Sequence, residues 1–356
     1  MLPIIIGYND KQINNAIISQ LKKGITFSLP TILETKLSKE LCKLIPSAEM
    51  VRFGKNGSDV TSASIRLARA YTKRDNIIFC GYHGWHDWYV GKTKMSIGVP
   101  NSIKKLSTSF KYNDFQALEN ILKKNPKKYA AVIMEPVYDV EPKKNFLKKV
   151  RSITKKYGCL LIFDEIVTGF RVSIKGAQHY YKVTPDISCF GKAMANGMPI
   201  SAVVGKRKFM KFFDKIFFST TFGGETLSIV AALKTIEILK KKNVINQIKK
   251  FSLKFTKNLQ EIILKNNLQD TYNIEGVWWR PAFGVKKGVD RYKLLLLRKN
   301  LIKNGLLIGN SFNFCLSHTH KKTYNEIVKR IENAFIETKK ENKINKNLKS
   351  YNSVRS

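Results

Sequence analysis

Acidic residues are scarce in this chain of 356 residues, where 26 Asp and Glu stand against 64 Lys and Arg. Cysteine is sparse too: the five at 42, 80, 159, 189 and 315 are odd in number, form no CxxC pair and lie mostly in apolar runs. They read as reduced, buried thiols of a cytoplasmic protein rather than a disulfide framework. No uninterrupted apolar stretch approaches membrane-spanning length, and the first residues lack the charged start and cleavage site of a secretory signal. No internal repeat is present. What remains is the composition of a globular protein, long enough to bury a substantial core in one large domain or two smaller ones.

The formal net charge of +38 raises the question of a nucleic acid or an anionic membrane. Its distribution argues against either. Lys148, Lys149, Lys155 and Lys156 lie opposite the apolar Phe146, Leu147, Val150 and Ile153, as on the solvated face of a helix. Lys, Asn and Ile are high together, which an AT-rich coding sequence produces without a basic patch. Charge alone licenses only non-specific, salt-sensitive affinity. A basic nucleic-acid or anionic-surface binder is the alternative from this side, and its affinity would survive Lys192→Ala and collapse with salt.

The chain is organised around CLLIFDEIVTGFRVSIKGAQHYYKVTPDISCFGKAMANG, from Cys159 to Gly197. Cys159 to Phe163 reads as a buried strand ending on Asp164 and Glu165, and Asp186 to Phe190 as a second, ending just before Gly191 and Lys192. The connection is long enough to cross over and make the two strands parallel. Open α/β sheets place ligands at that carboxyl edge. Taken singly, a lysine after a strand is ordinarily a solvated cation, and an aspartate there a turn residue or cap.

Other segments carry the same kind of signal. In AEMVRFGKNGSDVTSASIRLARAYTKR a short strand ends at Lys55, Asn56, Gly57 and Ser58, and a helix follows with Val60, Ala63, Leu67 and Ala70 on one face. Gly57 allows close backbone approach, and Ser58 with the free amides of the first turn makes an anion site. An ordinary Asn-Gly turn capped by Ser58 or Asp59 is the plainer alternative. The strand Asn76 to Cys80 leads into GYHGWHDWY, where His83 and His86 have metal-like spacing but no cysteine or carboxylate cluster to complete a set. No metal is expected. Trp85 and Trp88 read as packing or interface residues, and an aromatic here could lie flat on a cofactor ring. Tyr129 to Met134 is another strand, ending in Glu135 and Pro136. A helix from Asn145 to Tyr157, stopped by Gly158, delivers the chain to the central strand. Beyond Lys192 a hairpin through Pro199 leads into SAVVGKR, then to the Thr/Gly-rich FFSTTFGGET.

IFDEIVTGFR followed by PDISCFGKAMANGMPISAVVG resembles the signature of the class III aminotransferases, the pyridoxal-phosphate enzymes that include glutamate-1-semialdehyde aminomutase. The similarity runs from about Pro3 to the neighbourhood of His318. It implies the fold-type-I pyridoxal-phosphate transferase fold: α/β, a mostly parallel sheet flanked by helices, plus a smaller α+β C-terminal domain. It implies pyridoxal 5'-phosphate carried on Lys192 as a Schiff base, with Lys192 then moving the proton as general acid and base, and Asp164 keeping the pyridinium nitrogen protonated. Gly57 and Ser58 would cradle the phosphate, Tyr82 cover the pyridine face with His83 beside it, and Glu135 anchor the hydroxyl side of the ring. Thr221 would reach a neighbouring subunit's phosphate across a homodimer with shared active sites. His86 and Asp87 are second-tier candidates, and Glu165 is expected to be structural.

Within the family the resemblance implies amino-group transfer between a small-molecule donor and a carbonyl acceptor, or within one molecule as in the aminomutase. KAMANGMPISAVVG is less glycine-rich than the aminomutase pattern around the lysine, KNGSDV departs at the phosphate turn, and SFNFCLSH lacks the acid expected near the C-terminal pocket. These departures resemble aminotransferases of surface-polysaccharide and nucleotide-sugar pathways. The family's N-terminal segment, with its small sheet, is expected to be absent, so a truncated, inactive cofactor-binding paralogue is a further alternative. The expected division is a remnant of the N-terminal segment at 1–47, a large cofactor-binding domain at 48–235, a small domain at 236–340 and a disordered basic tail at 341–356. Helices are expected at Asp10 to Lys22, Leu37 to Ile45, Ser228 to Asn266 with a break near Asn243, Tyr292 to Asn304 and Lys321 to Lys339. Gly276 to Lys286 and Leu306 to Leu316 are strand candidates.

Overall fold

The structure, a computed structural model, describes residues 2–309 and 311–353, with side chains through 341. Two compact units divide between Ile245 and Asn246, where the sequence suggested a division after 235.

The first unit is built on a seven-stranded sheet: β1 (Met50–Gly54), β2 (Asn76–Cys80), β3 (Ser107–Ser109), β4 (Tyr129–Met134), β5 (Leu160–Asp164), β6 (Ile187–Phe190) and β7 (Ser201–Gly205), in the spatial order β1-β7-β6-β5-β4-β2-β3. From β3 to β6 every pairing is parallel, and β7 runs antiparallel to both β6 and β1. The expected hairpin through Pro199 is the β6–β7 connection. Strands such as YAAVIM and LLIFD read as unbroken apolar runs because both faces are covered, and every residue of β4 and β5 is buried.

Alternation along the strands sorts the core into two layers. Ile77, Phe79, Ile133, Ile162 and Cys189 pack with Val60, Ala63, Leu67 and Ala68 of the helix after β1. Ile78, Cys80, Val132, Leu161 and Phe163 pack on the other face with Leu118 and Leu122 of the helix Phe115–Lys124, and Leu147, Val150 and Ile153 of the helix Phe146–Lys156. Burying each such Leu, Ile or Phe contributes about 1.5–3 kcal/mol. The lysines of the helix Phe146–Lys156 stay on its outer face, as the sequence pattern required.

Ahead of the sheet lie α1 (Lys11–Leu21), capped by Asp10, and α2 (Ile32–Leu44). The second starts before the expected Leu37, because Thr31 and Glu34 close a capping box at its head. α3 (Gly57–Thr72) follows β1. The expected break near Asn243 separates the helices Thr226–Lys241 and Val244–Lys265, with Asn243 itself in the left-handed region at φ 47°.

The second unit pairs β8 (Tyr272–Val277) with β9 (Arg280–Val285) as an antiparallel hairpin. The single strand expected from Gly276 to Lys286 is therefore a turn and a second strand: Val277 pairs with Arg280 and the chain reverses through Trp278 and Trp279. Among the described residues of 306–316 no strand forms; Asn310 lies outside them. Phe251, Phe255, Phe312, Phe314 and Tyr324 make an edge-to-face cluster against the helix Val244–Lys265. The closing helix Lys321–Ser353 continues beyond Glu341, where the tail was expected to begin; residues 354–356 of that tail lie outside the described residues.

Candidate active site

Parallel strands in level register bring their carboxyl ends to one edge. Cys80 pairs with Met134, Met134 with Phe163, and Asp164 with Cys189, so the residues just beyond β2, β4, β5 and β6 emerge side by side. Across β7, Gly54 of β1 reaches the same edge opposite Ser201. There a cavity of about 420 Å³ opens, lined by Gly57, Ser58, Tyr82, His83, Glu135, Asp164 and Lys192 among others. Seven of the residues singled out from the sequence thus converge on one space. Thr221 does not line it and is exposed on the loop before the helix Thr226–Lys241. His86 and Asp87 do not line it either, and the His86 ring is engaged by the Ser62 hydroxyl at 2.6 Å.

At one end of the cavity is the head of α3. Asp59 closes it as a capping box by accepting from the Lys55 and Asn56 amides at 3.1 and 2.7 Å. That leaves the first-turn amides of Gly57 and Ser58 at the positive end of a four-turn helix, a ready seat for a phosphate. A Cβ on Gly57 would stand 3.2 Å from Ile166 Cγ2, so the cradle admits glycine best. The loop from Tyr82 to Trp85 is fastened to this turn: the Trp85 amide donates to Ser58 Oγ at 3.2 Å, and Thr61 Oγ1 donates to the His83 carbonyl at 3.0 Å.

At the other end is Asp164, buried at the tip of β5. Its Oδ1 accepts from the Ile166 amide at 3.1 Å, and its Oδ2 lies 2.8 Å from His83 Nδ1. His83 Nε2 faces the Cys80 carbonyl at 3.0 Å. The ring thus lies between the Asp164 carboxylate and the Cys80 carbonyl, within hydrogen-bond distance of both. The contact fixes the Asp164 side chain at the buried end of the cavity, which both residues line. Glu135, also buried, accepts from the Tyr82 amide at 3.1 Å and so sets where the Tyr82 ring begins. That ring is 56% exposed and lies nearly perpendicular to the Tyr89 ring.

Lys192 follows β6 after Gly191 and opens a short 3-10 turn, with its own backbone at φ 41°. Glu165, the residue after Asp164, does not line the cavity. It is fully buried and accepts from Thr168 Oγ1, the Ala177 and Gln178 amides and Gln178 Nε2, bracing the loop after β5 as the structural role expected of it requires. Burial pushes its carboxyl above the ordinary glutamate value against the pull of those donors. Two thiols near the strand ends are inert for the same reason: burial raises Cys80 to about 12 and Cys189 well above its usual value.

Three cavity features have no local signature and were not singled out. Trp85, read as a packing or interface residue, lines the cavity while 71% exposed. Pro3 reaches it from the start of the chain. Lys55 lines it with its amine held by Glu225 Oε2 at 2.8 Å and Ser228 Oγ at 3.3 Å.

The aminotransferase class-III family model matches residues 1–346. A 3-aminobutyryl-CoA aminotransferase of Cloacimonas acidaminovorans is 42% identical over 80% of this chain and 70% of its own length. A glutamate-1-semialdehyde 2,1-aminomutase of Wigglesworthia glossinidia brevipalpis is 33% identical over 93% of this chain and 82% of its own. Among solved structures, the FumI protein of Sphingopyxis sp. MTA144 in its PLP internal aldimine form superposes with a TM-score of 0.88 at 25% identity, covering 94% of this chain and 81% of that one. An omega-transaminase from Sphaerobacter thermophilus gives 0.86 at 24% identity, covering 95% and 85%.

Proposed function

The chain belongs to the class-III aminotransferase family, and from that premise we propose that it moves an amino group to or from a small carbonyl compound, in the manner of the aminomutase-like members, at the cavity lined by Lys192 and Asp164. Pyridoxal phosphate, the cofactor of this family, supplies an electrophilic carbon and an electron-deficient ring when bound. The residues present fit it. Gly57 and Ser58 would hold its phosphate on the α3 head, and Asp164, braced by His83, would hold the proton on its ring nitrogen. Tyr82 would cover one ring face and Glu135 would stand at its hydroxyl side. Lys192 would attach it and afterwards carry the substrate proton, a task that needs a neutral amine.

The observation that carries this reading is the convergence on one cavity of a lysine, a buried carboxylate and an open helix N-terminus. No observation favours the cofactor binder without turnover, the surface-polysaccharide pathway or the nucleic-acid binder. Homodimer formation is supported by the apolar exposure around Thr221, where Phe217 is 80% and Phe222 54% exposed, and Thr221 would serve the second copy's phosphate site. A cytoplasmic setting is supported by five free cysteines.

The test is the visible spectrum of the purified protein with pyridoxal phosphate, for wild type and Lys192→Ala, before and after a panel of amino donors. Borohydride should fix the cofactor on Lys192, and one donor should bleach the band. A donor that then requires a separate carbonyl compound to restore the band marks transfer between molecules; restoration without one marks transfer within a molecule. Absence of any band in wild type would overturn the assignment.

A further inference from the structure

Asn196 stands where the sequence departs from the glycine-rich run expected after the lysine, and its backbone is left-handed at φ 47°, ψ 42°. Asparagine tolerates that region nearly as glycine does, and it adds a carboxamide. Asn196 Oδ1 accepts from the Ile5 and Ile6 amides at 3.0 and 2.8 Å, and its Nδ2 donates to the Gly7 carbonyl at 2.8 Å. One side chain thereby does for residues 5–7 what a neighbouring strand would do. The same segment is held a few residues earlier by the buried guanidinium of Arg171, whose Nη2 donates to the Leu2 and Ile4 carbonyls at 3.1 and 2.8 Å. It lies directly on the lysine loop: a Cβ on Gly197, at φ 108°, would stand 2.8 Å from Ile4 Cδ1. Pro3, between the two carbonyls that Arg171 holds, lines the cavity together with Gly197 and Met198.

We propose that Asn196 is a positioning residue and that residues 2–7 are a strap of the active site. Clasping the strap fixes the loop from Lys192 to Gly197, hence the left-handed backbone of Lys192 itself, and holds Pro3 as one wall of the substrate space. The clasp stands on geometry alone; its consequence for Lys192 rests on the proposed function.

Asn196→Gly keeps the left-handed backbone and removes all three hydrogen bonds, whereas Asn196→Asp keeps the two that its oxygen accepts. In the full chain as purified, amide exchange at Ile5 and Ile6 should accelerate at least tenfold in Asn196→Gly and return towards wild type in Asn196→Asp, with Val132 and Leu161 in the sheet unchanged. The pH midpoint of the visible cofactor band should move in Asn196→Gly by at least half a unit and recover in Asn196→Asp. Unchanged exchange at Ile5 and Ile6 would overturn the clasp. Faster exchange with an unmoved midpoint would overturn the positioning of Lys192. If the wild type carries no band, the functional reading fails and the clasp does not; the acylation rate of the Lys192 amine, mapped by mass, then replaces the band, and a change under threefold in Asn196→Gly overturns the positioning role.

Discussion

Removing the Glu225 carboxylate should loosen the phosphate turn and the helix behind it together, because this one group serves both. It accepts from Lys55 Nζ at 2.8 Å, from Ser228 Oγ at 2.6 Å, and from the Leu227 and Ser228 amides at the head of the helix Thr226–Lys241. Losing an N-cap costs about 1 kcal/mol. Losing a hydrogen bond to a charged partner costs about 1.5–3 kcal/mol when the partner stays behind, and the side chains of Lys55 and Glu225 are only 16% and 11% exposed. Glu225→Ala should therefore destabilise by about 2.5–4 kcal/mol. Glu225→Gln keeps a capping oxygen but turns an amide donor towards the lysine amine, so its cost should be the pair alone.

Burial opposes the ionised form of Glu225, yet the hydrogen bond from Lys55, followed by that from Ser228, holds its carboxyl below the ordinary glutamate value. A depressed folded value means that the contribution is complete above the unfolded value of about 4.3 and is lost as pH falls through the folded one. The difference between wild type and Glu225→Gln should thus be constant at neutral pH and shrink in acid. The assay is exchange of the Val132 and Leu161 amides under increasing urea, which reports opening of the first unit without assuming that both units unfold together. A double-mutant cycle with Lys55→Met should return a coupling of at least about 0.5 kcal/mol. A smaller coupling, or a difference that grows as the pH falls, would refute the reasoning.

Gly84 has φ 100°, and a Cβ there would stand 2.2 Å from Ser58 Oγ, so Gly84→Ala should displace the first turn of α3 and weaken phosphate retention at least tenfold in a cofactor titration. His83→Gln removes the Nδ1 partner of Asp164 Oδ2; losing about 1.5–3 kcal/mol of hydrogen bonding to the carboxylate should loosen the cofactor tenfold or more, whereas equal affinity would show that Asp164 needs no brace. Glu237 is a control. Hydrogen bonds from Lys234 and then Lys241 hold its carboxyl at about 2, but Glu237 itself is more than a third exposed and solvent screens it. Glu237→Gln should cost less than about 1 kcal/mol, vanish in high salt, and match wild type once the pH falls below that value, all measured by thermal unfolding.

What was legible in the sequence and what was not divide by the distance over which the signal acts. Asp164, Glu135, His83 and Lys192 each lie at the end of a buried apolar run or within three residues of it, and parallel pairing in level register carries such ends to a common edge, so local pattern reached the site. The start of α2 was also local: Thr31 and Glu34 stand three apart as a capping box requires, ahead of the apolar periodicity from which the helix was read. The second unit's hairpin was hidden because Trp278 and Trp279 continue an apolar run through the turn, with none of the Gly, Asn or Asp that announces a reversal. The long-range fastenings had no local sign at all. Lys55 meets Glu225 across 170 positions and Asn196 meets Ile5 across 191, and neither partner differs in the sequence from an ordinary surface lysine or loop asparagine. These are hydrogen bonds between loops at the edge of the sheet, where no strand or helix period registers them. The sheet places the acid and the lysine, but the turns on which cofactor and substrate would rest are held from far along the chain. Variants at Asn196 should therefore alter positioning while the strands beneath keep their exchange protection, a separation that a purely sheet-borne site would not show.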